Sequence, residues 1–233
     1  MIVAATISDT RLNDPVWAAA RLNEAEDAGI DLLILGGPDD LIFDPLVLAA
    51  WAAPRTRRMH IVATVPASRS HPFHVARALS AIDFLSAGRS GWCPVPAGAP
   101  QGMAEDMVAA ACSLWDGWDA DTLIIDKASG RYLDSSKVRP SNYEGPFFRV
   151  AGPVNAMRPP QGRPLLVVDG AVPLAVDDAD IALLGPGESA KAKKMLAKIG
   201  IGDTAPKGAD GVHYTLTDPE HQLAQISRME RSQ

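Results

Sequence analysis

The stretch from His60 to Trp92 constrains the fold of this chain more than any other. It begins with IVATV, an apolar run typical of a buried strand. After a polar loop it continues as an amphipathic helix, Pro72–Leu85, with an apolar stripe on one face. A glycine stop and the opening of a second strand follow. A strand, a helix and another strand in this order form one β/α unit, which predicts a parallel sheet.

The same alternation of apolar runs and helical segments continues along the chain. The predicted strands are Ile2–Ile7, Asp31–Leu35, Met59–Val65, Trp92–Val95, Pro164–Val168, Ala179–Leu184 and Gly211–Leu216. The predicted helices are Pro15–Ala28, Asp44–Ala53, Pro72–Leu85, Met103–Trp118, Glu188–Ile199 and a short C-terminal helix from Asp218. Near-continuous apolar strands such as LLIL indicate a sheet that is covered on both faces. The count is about seven strands, whereas a closed β/α barrel has eight.

A segment rich in turn residues, at about 120–160, interrupts the alternation. Its stretches TLIID and GPFFRVAG have the composition of strands that lie outside the main sheet. We therefore predict one α/β domain over residues 1–233. Its fold is TIM-barrel-like, (β/α)8, with one β/α unit missing or shortened and a β-hairpin excursion.

Charge and composition exclude several classes of protein. The net charge of −6 argues against a nucleic-acid or anionic-membrane partner, which would favour a basic face. No apolar run reaches the roughly 18 residues of a membrane helix, and the N-terminus lacks the pattern of a signal peptide. Cys93 and Cys112 are too few for a disulfide framework or a zinc site, so we expect two reduced, mostly buried thiols. A cytoplasmic protein is the expectation.

The residues alone predict no catalytic constellation and no metal site. The chain contains no P-loop, GxGxxG, GxSxG or HExxH motif. His71 and His74 flank a helix start, where a histidine is either catalytic or a capping and packing residue, and the residue pattern favours the second role. The ends of this helix also predict an ion pair between Asp83 and Arg89. Asp177, Asp178 and Asp180 form either a metal site or a solvated loop, and we favour the loop.

Three blocks of the chain resemble the luciferase-like flavin monooxygenases, in the branch of the nitrilotriacetate, dibenzothiophene-sulfone and pristinamycin monooxygenases. The first block contains DPLVLAAWAA, IVAT and HPFHVARALSAIDFLSAGRSGW, within Asp44–Trp92. The second is Leu114–Gly170, with LWDGW, DKASGR and FRVAGPVNAMRPPQGRP. The third is GADGVHYTL at Gly208–Leu216. Together the blocks cover well over half of the chain, and their motifs are distinctive.

The resemblance implies a TIM barrel of the bacterial luciferase type. It also implies reduced FMN (FMNH₂), taken from a partner flavin reductase and used with oxygen to oxidise a small organic substrate. The positions that would bind the cofactor are Ser68, Cys93, Gly170 and Ala171. A homologous subunit is a second possible partner, and we expect a homo- or hetero-oligomer.

The chain departs from the family pattern at several flavin-contact positions. Gly37 stands where the family has an aspartate, and Pro66-Ala67 stands in a stretch that the family fills with serine and threonine. After Trp92 the family has Asn, then Thr and Ser, but here the chain has Cys93-Pro94 and then Pro96-Ala97. The phosphate-binding pattern QAGAS is replaced by VDGAV at Val168–Val172. We therefore expect a flavin site so altered that FMN binding and activity are in doubt.

Three hypotheses follow from these patterns. The first is a working FMN-dependent monooxygenase with a remodelled pocket. The second is a non-catalytic partner subunit or binding protein, in which Trp51, Trp115 and Trp118 are either interface residues or core. The third is a small-molecule binder whose barrel mouth is lined by Arg69, His71, His74 and Cys93.

Overall fold

A computed structural model describes residues 1–37 and 44–230, with only the backbone for Glu230. The strands are β1 (Ile2–Ile7), β2 (Leu32–Leu35), β3 (His60–Pro66), β4 (Ser90–Val95), β5 (Leu123–Asp126), β6 (Arg131–Leu133), β7 (Tyr143–Glu144), β8 (Arg149–Val150), β9 (Leu165–Asp169), β10 (Ile181–Leu184), β11 (Lys194–Lys198) and β12 (Gly211–Leu216). The α-helices are α1 (Pro15–Asp27), α2 (Pro45–Ala52), α3 (Pro72–Leu85), α4 (Met103–Asp116) and α5 (Pro219–Glu230). None of the described helices has the length and hydropathy needed to span a bilayer.

Eight parallel strands close into a barrel in the order β1-β12-β11-β10-β9-β4-β3-β2. The TIM-barrel-like fold is thus confirmed, and the barrel is closed. It has one strand more than the seven predicted. The additional strand is β11, which lies within the segment Glu188–Ile199 that we predicted as a helix, so that prediction is wrong.

The lysines of β11 explain the incorrect helix prediction. Their spacing is that of an exposed helical face, but in the structure they extend to partners that are distant in sequence. Lys194 pairs with Asp210 at 3.2 Å, and Lys198 pairs with Asp169. Between them Leu196 is fully buried. Because β11 bridges β10 and β12, it removes two open strand edges that would otherwise expose unpaired backbone groups.

The predicted shortening affects the helices and not the strands. The connections 170–180, 185–193 and 199–210, which follow β9, β10 and β11, contain no α-helix. Helices α1 to α4 follow the first four strands, and α5 follows β12. The barrel is therefore wrapped by helices on one side and by loops on the other.

The barrel interior is formed by alternate residues of the strands. Ala4, Val62, Val167 and Leu196 belong to this inner cluster, while the residues between them face the helices and the covering loops. Gly91 shows how tightly β4 approaches β9, since a Cβ there would lie 2.9 Å from the carbonyl oxygen of Leu165. A glycine is required at this position because any side chain would separate the two strands.

The carboxylate of Asp83 joins α3 to β4 and to the segment before β9. It is fully buried, and it accepts hydrogen bonds from the backbone N–H and hydroxyl of Ser90 and from the backbone N–H and amide of Gln161. The predicted ion pair with Arg89 is wrong. The guanidinium of Arg89 donates instead to the hydroxyl of Thr56 at 2.9 Å and to the carbonyl of Met59 at 2.6 Å.

The predicted excursion consists of two small antiparallel hairpins, β5–β6 and β7–β8, outside the barrel sheet. The buried carboxylate of Asp106 on α4 anchors the second hairpin. It accepts hydrogen bonds from the hydroxyl of Tyr143 at 2.5 Å and from the backbone N–H groups of Phe147 and Phe148 at 2.8 Å each. Three bonds to one charged group fix the excursion on the barrel wall.

Candidate functional site

The carboxyl ends of the barrel strands bring together polar side chains from six different strands. In a parallel barrel, ligand sites lie at this end because the loops that follow the strands meet there. We call the inner side of this end the barrel mouth. It comprises Thr6, Thr64, Cys93, Asp169, Lys198 and His213, which alternate with or belong to the inner cluster.

Lys198 is the centre of an ion cluster in the barrel mouth. Its ammonium group binds Asp169 on one side and lies 3.0 Å from Oε2 of Glu188 on the other. Burial lowers the pKa of Lys198, but the hydrogen bonds with the two carboxylates outweigh burial, so the pKa is raised. A backbone hydrogen bond from Gly185, at 2.7 Å, and the bond with Lys198 lower the pKa of Glu188. All three groups are therefore charged at neutral pH.

His213 lies in the wall of the mouth, between Lys198 and the first strand. Its side chain is only 3% exposed, and Nε2 lies 2.8 Å from the hydroxyl of Thr6. Within the described residues, Nδ1 has no hydrogen-bond partner. Burial lowers the pKa of His213 to about 4, and the charge of Lys198 acts in the same direction. The imidazole is therefore neutral at pH 7, and it is not a cationic contact for a ligand.

Cys93 and Ser68, two of the predicted cofactor positions, lie at different depths. Cys93 is buried in the mouth, where desolvation raises the pKa of its thiol to about 12. A thiol with so high a pKa is not a nucleophile at neutral pH. Ser68 is exposed on the loop after β3, and its hydroxyl donates to the carbonyl of Ala97 at 2.8 Å. This bond links the loops that follow β3 and β4.

Gly170 and Ala171, the other two predicted positions, follow β9, and their amides have partners within the loop. The N–H of Gly170 donates to the carbonyl of Leu183 and that of Ala171 donates to Asp169, each at 2.8 Å. A Cβ at Gly170 would lie 3.0 Å from the Cβ of Glu188. The space above Gly170 is thus filled by the ion cluster.

A cleft outside the barrel lies between α2 and α3. It encloses about 530 Å³ and is lined by Arg69, His71 and His74 among others. Three of the four residues predicted to line a small-molecule site therefore share one cleft, while Cys93 lies inside the barrel. The predicted capping role of His71 is confirmed, because its Nδ1 accepts a hydrogen bond from the N–H of Phe73 at 3.3 Å.

The remaining predicted features have structural partners. In the acidic loop, Asp177 pairs with Lys191 at 2.7 Å and Asp180 with Lys193 at 2.8 Å. The described residues include no group of three acidic, histidine or cysteine side chains able to hold a metal ion. Trp115 and Trp118 are buried and donate to the backbone carbonyls of α3 and of Val154, so they are core residues.

The ion cluster is a part of the site that the sequence patterns did not predict. Lys198 and Glu188 fell within the incorrectly predicted helix, which placed both on a solvated face. The period-two alternation of buried Leu196 with its neighbours was the available signal for a strand. The position of His213 at the centre of the predicted strand Gly211–Leu216 was a second signal, since an isolated histidine in an apolar strand is a polar group inside the barrel.

Comparison with known proteins gives consistent relatives. Residues 14–202 match the family model for luciferase-like monooxygenases. The chain is 33% identical over 182 residues to one of the subunits of pristinamycin IIA synthase from Streptomyces pristinaespiralis, covering 74% of this chain and 64% of the relative. It is 32% identical over 146 residues to N-acetyl-S-(2-succino)cysteine monooxygenase of Bacillus subtilis (strain 168), covering 55% of this chain and 33% of the relative.

The matched segments thus span between a third and two thirds of the length of these curated relatives. Among solved structures, riboflavin lyase superposes with a TM-score of 0.68 at 24% identity, covering 85% of this chain and 62% of the other. At that identity, the superposition supports the fold alone.

Proposed function

The chain belongs to the luciferase-like monooxygenase family, and from that premise we propose that it is a barrel that does not hold FMN in the family manner. We propose further that it acts as a non-catalytic partner of a separate, flavin-carrying chain. The observation that carries the proposal is the ion cluster of Lys198, Asp169 and Glu188. It fills the end of the barrel at which the family resemblance implies the FMN phosphate.

The phosphate end of the site does not fit the cofactor. The amides of Gly170 and Ala171 already donate to Leu183 and Asp169. The loop 170–180 contains no α-helix whose N-terminus would face a phosphate. Two carboxylates against one ammonium group leave the cluster with a net negative charge, which repels a phosphate dianion.

The hydroxyl groups near the mouth are also engaged. Thr64 donates to the carbonyl of Gly36 at 2.9 Å, Ser68 donates to Ala97, and Thr6 pairs with His213. A flavin ring at this position would have to break these bonds, at about 1 kcal/mol each. The loss of several such contacts moves a micromolar site out of the useful range.

The role as a partner chain is supported by the relatives and by the one-sided wrapping of the barrel. By its name, the pristinamycin IIA synthase relative is one part of a multi-subunit enzyme. The outer side of β11 is covered by loops only, and Met195 on this side is 43% exposed. Two free cysteines fit a reducing compartment, and we propose the cytoplasm.

The alternative function is a working FMNH₂-dependent monooxygenase, which is favoured by the family membership and the closed barrel. Titration of the purified chain with FMN and with FMNH₂, followed by flavin fluorescence, separates the two. We expect no saturable binding at micromolar concentrations. Stoichiometric binding by the isolated chain would reject the proposal. Isolation of the chain from its source in a complex whose flavin is bound by another chain would support it.

A further inference from the structure

The cleft between α2 and α3 combines an apolar wall with unpaired basic side chains. Pro45 and Leu46 of α2, Pro66 at the end of β3 and Val75 of α3 supply the apolar wall. The enclosed volume of about 530 Å³ lies within the range of small-molecule sites. The cleft lies outside the barrel, so it is independent of the proposed loss of the FMN site.

The charges in the cleft favour an anion. Arg69, His71 and His74 are its basic side chains, and Asp44 is its acidic side chain. The carboxylate of Asp44 already accepts from the N–H of Leu46 at 2.9 Å, as the N-cap of α2. Within the described residues, no acceptor pairs with the guanidinium of Arg69 or the imidazole of His74. The positive groups are therefore available to a ligand.

The cap formed by His71 determines which of its nitrogen atoms can contact a ligand. Because Nδ1 accepts the hydrogen bond from Phe73, the neutral imidazole carries its proton on Nε2. Nε2 is then a hydrogen-bond donor. Burial, and after it the charge of His74, lower the pKa of His71, so this donor is neutral near pH 7. An anion bound between the two rings would reverse the effect of His74.

Two helices begin at the cleft and add to the positive potential. Helix α2 has eight residues and α3 has fourteen, and each starts with a proline whose missing N–H leaves the first turn open. Helix N-termini favour negative charge within about one turn. The helices reinforce the basic side chains, which are the primary observation.

We propose that this cleft binds a small organic anion, with a phosphate or carboxylate headgroup against Arg69, His71 and His74 and an apolar body against Leu46 and Val75. Arginine pairs with both headgroups in the same two-point geometry. The apolar wall distinguishes such a ligand from a free inorganic ion. Nothing in the flavin chemistry of the family is needed for this site.

The test is a binding titration of the full chain, followed by the NMR signals of the histidine rings. Phenyl phosphate and benzoate distinguish the two headgroups, and phenol supplies the apolar body without charge. We expect saturable binding of at least one of the two anions at about pH 6 and no comparable binding of phenol. Absence of saturation below about 10 mM for both anions, or equally tight binding of phenol, would overturn the proposal.

Matched variants locate the site. Arg69→Gln removes the guanidinium of the cleft, and Arg77→Gln makes the same change on α3, where Arg77 is exposed and lines a different cavity. We expect Arg69→Gln to weaken binding by about tenfold or more and Arg77→Gln to change it less than about twofold. Equal losses in both variants would indicate non-specific attraction and would contradict the site.

A third variant tests His71 without removing the helix cap. Asparagine is a favourable N-cap residue, so His71→Asn preserves the start of α3 while it removes the imidazole. The charged and titratable groups facing this position are Asp44, Arg69 and His74 in the cleft, with the ring of Phe148 packed on His71. We expect binding to strengthen as the pH falls from about 8 to 5.5, and less so in His71→Asn. An identical pH profile in both proteins would overturn the assignment of His71.

Discussion

The ammonium group of Lys198 lies 3.0 Å from the carboxylate of Glu188 while it also binds Asp169, so one cation holds the ends of two loops. We predict that Lys198→Met destabilises the protein by about 2 kcal/mol, because it leaves two partly buried carboxylates without a counter-charge. Urea unfolding measures the difference. The loss should be smaller when Asp169→Asn is already present, since one of the two negative charges is then absent.

Lys191→Met is the matched control for this prediction. Lys191 pairs with Asp177 at 2.7 Å, but both side chains are mostly exposed. Such a surface pair contributes roughly 0–1 kcal/mol. If Lys198→Met were as mild as Lys191→Met, the ion cluster would be no more than a surface interaction, and the proposed obstruction of the mouth would lose its basis.

The buried imidazole of His213 predicts a loss of stability in mild acid. Because its folded-state pKa is about 4 and its ordinary value is 6.5, the unfolded chain binds a proton in this interval and the folded chain does not. Stability is therefore complete above pH 6.5 and is lost as the pH falls towards 4. The expected loss is about 2–3 kcal/mol.

Comparison of variants isolates this contribution from that of the other titrating groups. His213→Gln should flatten the dependence of the unfolding free energy on pH between about 6.5 and 4. His221→Gln, on the exposed side of α5, should follow the wild-type curve. Parallel curves for the wild type and His213→Gln would mean that the folded protein protonates this ring without penalty.

The hairpin anchor predicts a spectroscopic change at Tyr143. Burial, together with the hydrogen bond to Asp106, raises the pKa of Tyr143 to about 12 from an ordinary 10.0. Asp106→Ala should lower this pKa towards 10 and expose the amides of Phe147 and Phe148 to hydrogen exchange. Tyrosine ¹³Cζ NMR follows the pKa, because the chain has only three tyrosines to assign.

Asp116→Ala is the control on the same helix. The carboxylate of Asp116 pairs with Arg163, with one N–O distance of 2.9 Å, and it does not contact the hairpin. We expect Asp116→Ala to leave the Tyr143 signal and the hairpin amides unchanged. An equal effect in both variants would show that α4, and not the Asp106 carboxylate, holds the excursion.

The elements that the sequence predicts well are those with local signals. Helix α3 has the predicted bounds Pro72–Leu85, because a proline at its first position and a glycine after its end mark both termini. Strands β1 and β12 also have their predicted bounds, since each is a short apolar run between polar turns. In these segments the local preference and the tertiary structure agree.

The parts that could not be predicted depend on partners distant in sequence. The strand β11 exists because β10 and β12 need a neighbour, while its own lysines have helical spacing. The ion cluster joins Asp169 to Lys198 across the barrel, and no local pattern marks such a pair. The predicted partner of Arg89 is wrong for the same reason, because its carbonyl acceptors lie about thirty residues earlier in the chain.

The buried carboxylate of Asp83 predicts a large effect on stability. Four donors of Ser90 and Gln161 converge on it in a fully buried position. Asp83→Ala would leave two buried backbone N–H groups without an acceptor, so we expect a loss of about 2–4 kcal/mol in the free energy of unfolding. Asp27→Ala, at the exposed end of α1, should change it by less than about 0.5 kcal/mol. Urea unfolding of both variants measures the contrast, and a loss below about 1 kcal/mol for Asp83→Ala would mean that water replaces the carboxylate at this junction.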